Sequence, residues 1–521
     1  MKQKQCDILV AGGSMGGVAA ALCAAKLGKR VILTEETDWL GGQLTSQAVC
    51  CPDENRYIEH FGCTETYRAL RDGIRNYYRK HYPLRTEVAA NPFFSPGNGW
   101  VSRLCQEPRV GLAVIDELLA PYTSSGRIEI LYRHKPVRAE TDGDFISGVE
   151  FESLASGDTV YITAPYVIDA TELGDVLPLS GTEYVSGAES RTDTGEPHAV
   201  DGPAQPDNVQ SFTYCFLADY LEGEDWTIAK PEGYEAFRDA APFAWTQEDP
   251  HTLKPRPFGM FDRGLPWSEE IPLWTYRRVV DAAQFAEGAF AGDVSLINWP
   301  MNDYIGGNII DKPDDVVAKH LDAAKRQSLS LLYWLQTEAP RQEGGAGYPG
   351  VRLRADAVGT EDGLAKYPYI REARRIVPLF RVLEQHISPE GNDSPLAEPF
   401  EDSVGIGLYR IDLHPSAGGY NYIDIGCRPY QIPLGALIPV RVRNLMAACK
   451  NIGTTHITNG AYRLHPVEWN CGESAGALAV FCMDHQTEPH AVYEDKALLK
   501  EFQQGLEGLG VPLEWPIMQP A

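Results

Sequence analysis

A chain of 521 residues exceeds what one hydrophobic core organises, so two or more domains with interleaved segments are expected. Its 43% hydrophobic and 10% aromatic content excludes a disordered chain, and a formal net charge of −26 argues against nucleic acid or an anionic membrane as partner. No window holds the roughly 18 apolar residues of a membrane span, and the short apolar run of MKQKQCDILVAGG passes into a glycine turn instead of forming a secretory signal. A cytoplasmic protein is therefore expected. The eleven cysteines show neither a C-x-x-C pair nor metal-ligand spacing, which fits reduced, mostly buried thiols. Adjacent Cys50 and Cys51 read as small half-buried side chains, since a disulfide between them would be strained.

The first elements predicted are a strand at CDILVA, an alanine-rich helix at GVAAALCAAKLG ending at Gly28, and a strand at RVILTEE, which together make a βαβ unit. Between the first two, VAGGSMGG puts Gly12, Ser14 and Gly17 on the three key positions of G-x-G-x-x-G. Gly12 and Gly13 allow a tight bend, and Gly17 lets the helix pack closely on the strand. Ser14 is small enough for a phosphate to approach and carries a hydroxyl that can donate to it. Met15 and Gly16 open the helix, whose free N–H groups suit a pyrophosphate. Glu35, about twenty residues further on, ends the second strand and is placed to accept from both ribose hydroxyls, which disfavours a 2′-phosphate. Glu36 competes with it by one register step.

Further along, Thr66–Tyr82 and Pro108–Tyr122 read as amphipathic helices. Short strands from RIEILY to DTVYIT form an antiparallel patch that feeds back into a parallel strand at YVIDAT. From about residue 183 proline, tryptophan and acids become frequent and one long helix, DDVVAKHLDAAKRQSLSLLYWLQTEA, stands out. From Val442 a strand, a loop and a glycine- and alanine-rich helix follow. The expected fold class is α/β: a Rossmann-like domain with a parallel sheet and an antiparallel crossover, plus an inserted α+β substrate domain. Residues 1–182 form its first part, 183–400 the insertion, and 401–521 the return.

Three stretches offer reactive side chains. PYIREARRI carries Arg371, Arg374 and Arg375, which on a helix share one face and form either an anion site or an ion-pair network bracing the insertion. IDLHPSAGGYNYIDI gathers His414, Tyr420 and Tyr422 around a Gly-Gly, in a substrate-facing loop or a plain hairpin. THITNGAYRLHP carries His456, Arg463 and His465. No histidines and carboxylates cluster at metal-ligand spacing, so no metal is expected.

Four further motifs decide the nucleotide. WLGGQLTSQAV, with Gly42, Gln43, Leu44 and Thr45, resembles the second glycine motif of flavoproteins. YVIDATELGD, with Ala170 and Thr171, is similar to their later strand motif ending in Ala-Thr-Gly, with Glu172 in place of the glycine. NLMAACKNIG, with Asn451, resembles the strand approaching the flavin ribityl chain, and CGESAGALA, with Gly472 and Ala475, the helix whose N-terminus faces the flavin pyrimidine ring. Together they resemble FAD-dependent oxidoreductases of the glutathione-reductase-like, two-dinucleotide-domain superfamily. Within it, GNGWVSRLCQEP, GTEDGLAKYPYIREARRI and THITNGAYRLHPVEWN look like blocks of the large bacterial FAD-dependent oxidoreductase family. The resemblance implies FAD as cofactor and also counts Val137 among the cofactor-binding positions.

The stretch NGAYRL is similar to one in succinate dehydrogenases and fumarate reductases, with Tyr462 at the usual asparagine. That likeness implies His456 as the proton-handling or orienting group and Arg463 as an anion or oxyanion binder, with His465 the weaker histidine. Arg371 and His414, from the two stretches above, are further catalytic candidates. The expected activity is removal of a hydride from a small organic substrate onto flavin N5, by a dehydrogenase or an oxidase. Two alternatives stand beside it: fumarate-reductase-like reduction of an activated C=C bond, and a flavin protein that performs elimination or isomerisation or does not turn over. The electron acceptor is oxygen or a carrier, and an oligomer is compatible with the chain.

Overall fold

In the computed structural model, which describes residues 2–240, 243–249, 252, 254–264, 269–390, 397–418 and 422–516, the chain opens with β1 (Lys2–Gln5), β2 (Ile8–Ala11), α1 (Met15–Lys26) and β3 (Val31–Glu35). Every residue of β2 and β3 is buried, as in a parallel strand covered on both faces. Just past the end of α1, Gly28 takes the left-handed backbone (φ 97°) that terminates a helix.

The helices Glu65–His81 and Pro108–Ser124 follow, then β4 (Ile128–Tyr132), β5 (His134–Asp142), β6 (Phe145–Ser153), β7 (Thr159–Thr163) and β8 (Tyr166–Asp169). Strands β5, β6 and β7 form an antiparallel meander that β1 joins in parallel. Near the other end of the chain Leu445–Ala447 returns to pair with β8. The resulting sheet runs Leu445–Ala447, β8, β2, β3, β4, and all its pairings are parallel. The chain leaves central β2 toward β3 on one side and later fills the other side with β8. The crevice beyond the C-terminal ends of β2 and β8 is thus a topological switch point, where open α/β sheets bind ligands.

A second hydrophobic core draws on residues from Phe212 to Ile370. Its antiparallel sheet runs Arg278–Val280, Val294–Ile297, Phe216–Tyr220, Val351–Leu353. The long helix Asp314–Thr337 contributes Leu331, Leu332, Trp334 and Leu335 to that core. Among the described residues no helix is long and apolar enough to cross a membrane.

Two local expectations are corrected. Pro368–Ile376 is not helical: it runs extended, and Arg375–Ile376 pairs with Tyr184–Val185. Its arginines are drawn to carboxylates in different directions, Arg371 to Asp303, Arg374 to Asp175 and Asp311, Arg375 to Glu189 and Glu372. Tertiary ion pairs here override helical spacing. The helix expected to begin near Cys471 begins at His465 and continues to His485, so Gly472 and Ala475 lie within it and not at its N-terminus. A Cβ on Gly472 would stand 1.9 Å from the Gly16 carbonyl oxygen, and one on Gly476 2.6 Å from that of Ala20. The small residues therefore let this helix and α1 pack backbone against backbone.

Candidate active site

The crevice is built from the glycine turn outward. A Cβ at Gly12, whose φ is 96°, would lie 2.3 Å from the Ala170 carbonyl oxygen, so only glycine lets β2 turn this close to the end of β8. Ser14 caps α1, its Oγ accepting from Gly17 N at 3.2 Å, and Met15 and Gly16 form the first turn. Glu35 Oε2 accepts from Gly13 N at 3.0 Å, while Oε1 accepts from the N–H (2.8 Å) and hydroxyl (2.6 Å) of Thr37. Burial pushes its carboxyl up to about 7 even though Thr37 opposes the shift. Burial likewise raises Glu36 to about 7, with Lys135 opposing. Both acids line the crevice with Thr171, Pro136 and Tyr367, but Glu35 alone of the two bonds the glycine turn.

At the inner end, Gly42–Leu44 forms a single 3₁₀ turn and Thr45 Oγ1 donates to the Leu40 carbonyl. Gln43 Nε2 donates to Glu468 Oε2 at 2.6 Å and to the Arg463 carbonyl at 3.0 Å, and its buried Oε1 has no partner. Buried Lys450 donates to Glu172 (2.5 Å) and Glu468 (3.3 Å). Burial pushes Glu468 up, but the Lys450 ammonium and the Gly16 N–H outweigh it and hold the carboxyl below its ordinary range. The Lys450 ammonium thus serves the Glu172, Cys449 and Glu468 group that would otherwise resemble a cation site.

The remaining cofactor candidates are placed less directly. Thr171 lines the crevice and donates to Asp169 through both N–H and hydroxyl. Asn451 is a brace, with Oδ1 accepting from Cys449 N and Nδ2 donating to the Asp169 carbonyl. Val137 is 38% exposed at a register irregularity of β5, and its neighbour Pro136 reaches the crevice instead. Gly472 and Ala475 are buried.

The four catalytic candidates fall into two networks. His414 Nδ1 donates to Asp303 Oδ2 at 2.5 Å, and its Nε2 lies 3.7 Å from Asp412 Oδ2. Asp303 Oδ1 accepts from Thr213 (2.6 Å) and from Arg371 Nη2 (2.9 Å). Burial pushes Asp303 up, but Arg371 and His414 outweigh it and hold it at about 2. Arg371 stacks over the Tyr369 ring at 4.5 Å, and the Tyr369 hydroxyl accepts from Arg463 Nη1 at 2.6 Å. Arg463 Nη2 closes the circuit by donating to the Asp412 carbonyl at 3.0 Å. His414 keeps 23% of its side chain accessible, beside a cavity lined by Met301, Ile305, Pro415 and Tyr422. The segment bearing it is a hairpin, Ile411–Leu413 against Ile423–Ile425, and Tyr420 lies outside the described residues.

His456 belongs elsewhere. It starts the helix His456–Tyr462, is fully buried, and donates from Nδ1 to Glu372 Oε2 at 2.9 Å, while Nε2 has no partner. Arg375 and Glu189 complete that network. His465 Nδ1 accepts from Asp53 N and its Nε2 donates to the Val49 carbonyl. Burial pulls it down to about 4, so it is a neutral structural group. Asp303 lies in none of the sequence motifs, and Tyr369, Asp412, Lys450 and Glu468 lie inside such stretches without standing out in them. Their roles arise from chain segments that meet only in the fold.

Sequence comparison matches residues 7–506 to a family described as FAD dependent oxidoreductase. No curated protein matches the chain significantly. Among solved structures, a geranylgeranyl bacteriochlorophyll reductase-like protein from Thermoplasma acidophilum is similar at 10% identity and TM-score 0.32, over 97% of this chain and 84% of that one. L-proline dehydrogenase from P. horikoshii is similar at 14% identity and TM-score 0.18, over 36% of this chain and only 24% of its own length. The flavin-dependent monooxygenase PieE, in complex with FAD and substrate, gives 13% identity and TM-score 0.25, over 42% and 36%. Scores this low leave the family match as the finding that assigns the chain.

Proposed function

Since the chain belongs to the FAD dependent oxidoreductase family, we propose that it is a dehydrogenase or oxidase that takes a hydride from a small organic molecule, with His414 accepting the accompanying proton. Bound FAD supplies the two-electron acceptor. The residues present fit it: Gly12 and Gly13 let the turn close on Ala170 and Glu35 with no side chain between, these residues and Ser14 line the crevice, the N-terminus of α1 suits the pyrophosphate, and Glu35 suits the ribose hydroxyls. The partnerless Gln43 Oε1, beside Lys450 and Glu468 at the inner end, is a buried acceptor that awaits a donor.

The observation that carries the reading is the His414–Asp303 pair beside an accessible cavity. Asp303, kept ionised, fixes the proton on Nδ1 and leaves Nε2 as the nitrogen that exchanges a proton. Arg371 holds Asp303 directly, and Arg463 joins the pair through Tyr369 and Asp412. The test is anaerobic mixing of FAD-loaded protein with alcohols, amines and organic acids while watching the oxidised flavin band. Bleaching by one class, slowed in His414→Asn, supports the reading, and no bleaching by any class refutes it.

A further inference from the structure

The cavity beside His414 has a volume of about 170 Å³, smaller than the sites that take drug-sized ligands. Pro300, Met301, Ile305 and Pro415 give it an apolar wall. Besides His414, the charged groups that line it are the carboxylates of Asp303 and Glu248, and no lysine or arginine is among its described lining residues. The segments outside the described residues contain neither lysine nor arginine.

Charge around His414 is layered. The two guanidiniums of its circuit are sealed, with 0% of the Arg371 side chain and 1% of that of Arg463 accessible, whereas 32% of the Asp412 side chain is accessible. Asp412 Oδ2 lies 3.7 Å from His414 Nε2. A molecule approaching the proton-accepting nitrogen therefore meets a carboxylate, with the arginines only behind it. The net charge of −26 adds a field of the same sign. Such a setting attracts a cation and repels an anion, and the apolar wall suits a hydrocarbon body.

We infer that this cavity takes a small apolar amine in its protonated form, which makes the substrate an amine. This rests on the proposed oxidoreductase reading. The ammonium passes one proton to His414 Nε2, which frees the nitrogen lone pair. The adjacent C–H bond breaks, its electron pair leaving as hydride to the bound flavin, while the lone pair closes a C=N bond. The amine is oxidised, the flavin is reduced, and water then releases the carbonyl product and ammonium.

The test is calorimetric titration of the FAD-loaded protein at pH 7 with butylamine, butan-1-ol and butyrate, the flavin kept reduced so that no turnover adds heat. Butylamine is expected to bind about tenfold or more tightly than butan-1-ol, and butyrate more weakly than either. Asp412→Asn combined with Glu248→Gln is expected to weaken butylamine binding on the order of tenfold, with butan-1-ol binding and flavin content unchanged. Butyrate or butan-1-ol binding as tightly as butylamine overturns the inference, and so does an undiminished preference for butylamine in the folded double variant. Bleaching of the oxidised flavin by alcohols or acids, with no binding of butylamine, would refute the amine site and leave the oxidoreductase reading standing. Butylamine binding with no bleaching by any compound would do the reverse.

Discussion

His414 and Asp303 are joined by a 2.5 Å hydrogen bond, and the same carboxylate is held from its other side by Arg371 at 2.9 Å. The hairpin that carries His414, the extended segment that carries Arg371 and the second core that carries Asp303 thereby converge on one ion. That geometry gives the imidazole a fixed tautomer and a fixed direction, which a proton acceptor requires.

His414→Asn keeps a polar side chain of similar reach but removes the exchangeable ring nitrogen. Turnover is expected to fall by about 10² to 10⁴ while FAD content stays as it is. Stopped-flow reduction and flavin absorbance measure both. A loss of FAD in parallel with rate would mean that His414 acts on folding and not on the substrate.

Glu372 is buried between His456 and Arg375. Burial alone would push its carboxyl up, but these partners outweigh burial and bring it from 4.5 to about 2. A carboxyl depressed in the folded state adds stability above its unfolded value, and that stability is lost as pH falls through the folded one. The protein is therefore expected to lose melting temperature between pH 4.5 and 2, with Glu372 contributing roughly 3 kcal/mol. Glu372→Gln should start lower and change less across that window. An identical slope in the variant contradicts the assignment.

Glu35 has the opposite sign. Burial raises it from 4.5 to about 7, so its contribution is complete below pH 4.5 and declines as pH rises through 7. Glu35→Gln is expected to flatten the decline in apoprotein stability over that interval. It should also weaken retention of FAD by about tenfold, the scale of one lost hydrogen bond to a charged group. Thermal melts of flavin-free protein and equilibrium dialysis of FAD measure the two effects separately.

Much of the start of the parallel sheet was legible because its signals are local. An apolar run, a glycine turn, an alanine-rich helix and a terminal acid lie within thirty residues of chain, about the length of one βαβ unit, so Ile8 to Glu35 could be read directly. The same holds for the helix begun by Pro108 and the Gly28 terminator. The candidate site was legible only in part. His414, Arg371 and Arg463 belong to one circuit, but what joins them is Asp303, Tyr369 and Asp412, residues that no spacing connects. His456, in the stretch most like a reductase motif, instead takes a buried place with Glu372. The arginines of Pro368–Ile376 have helical spacing and an extended backbone, because their partners Asp303, Asp175, Asp311 and Glu189 pull in different directions.

The two glycine-bearing C-terminal helices respond differently to a methyl group. Gly472→Ala is expected to cost about 3 kcal/mol or more, since its Cβ would meet the Gly16 carbonyl at 1.9 Å. Gly505→Ala, inside the helix Lys496–Gly508 with nothing within 4 Å, is expected to stabilise by roughly 0.5–1 kcal/mol. Urea unfolding of both variants checks the contrast, and equal effects would contradict the backbone-to-backbone packing of α1 on His465–His485.

The most direct measurement is anaerobic stopped-flow reduction of the FAD-loaded protein by a panel of 2-hydroxy acids, 2-amino acids, alcohols and amines, run side by side with His414→Asn. The account expects at least one class to bleach the oxidised flavin, and His414→Asn, with the same FAD content, to bleach it at least about a hundredfold more slowly. A flavin left oxidised by every compound, or bleached equally fast in His414→Asn, would contradict it.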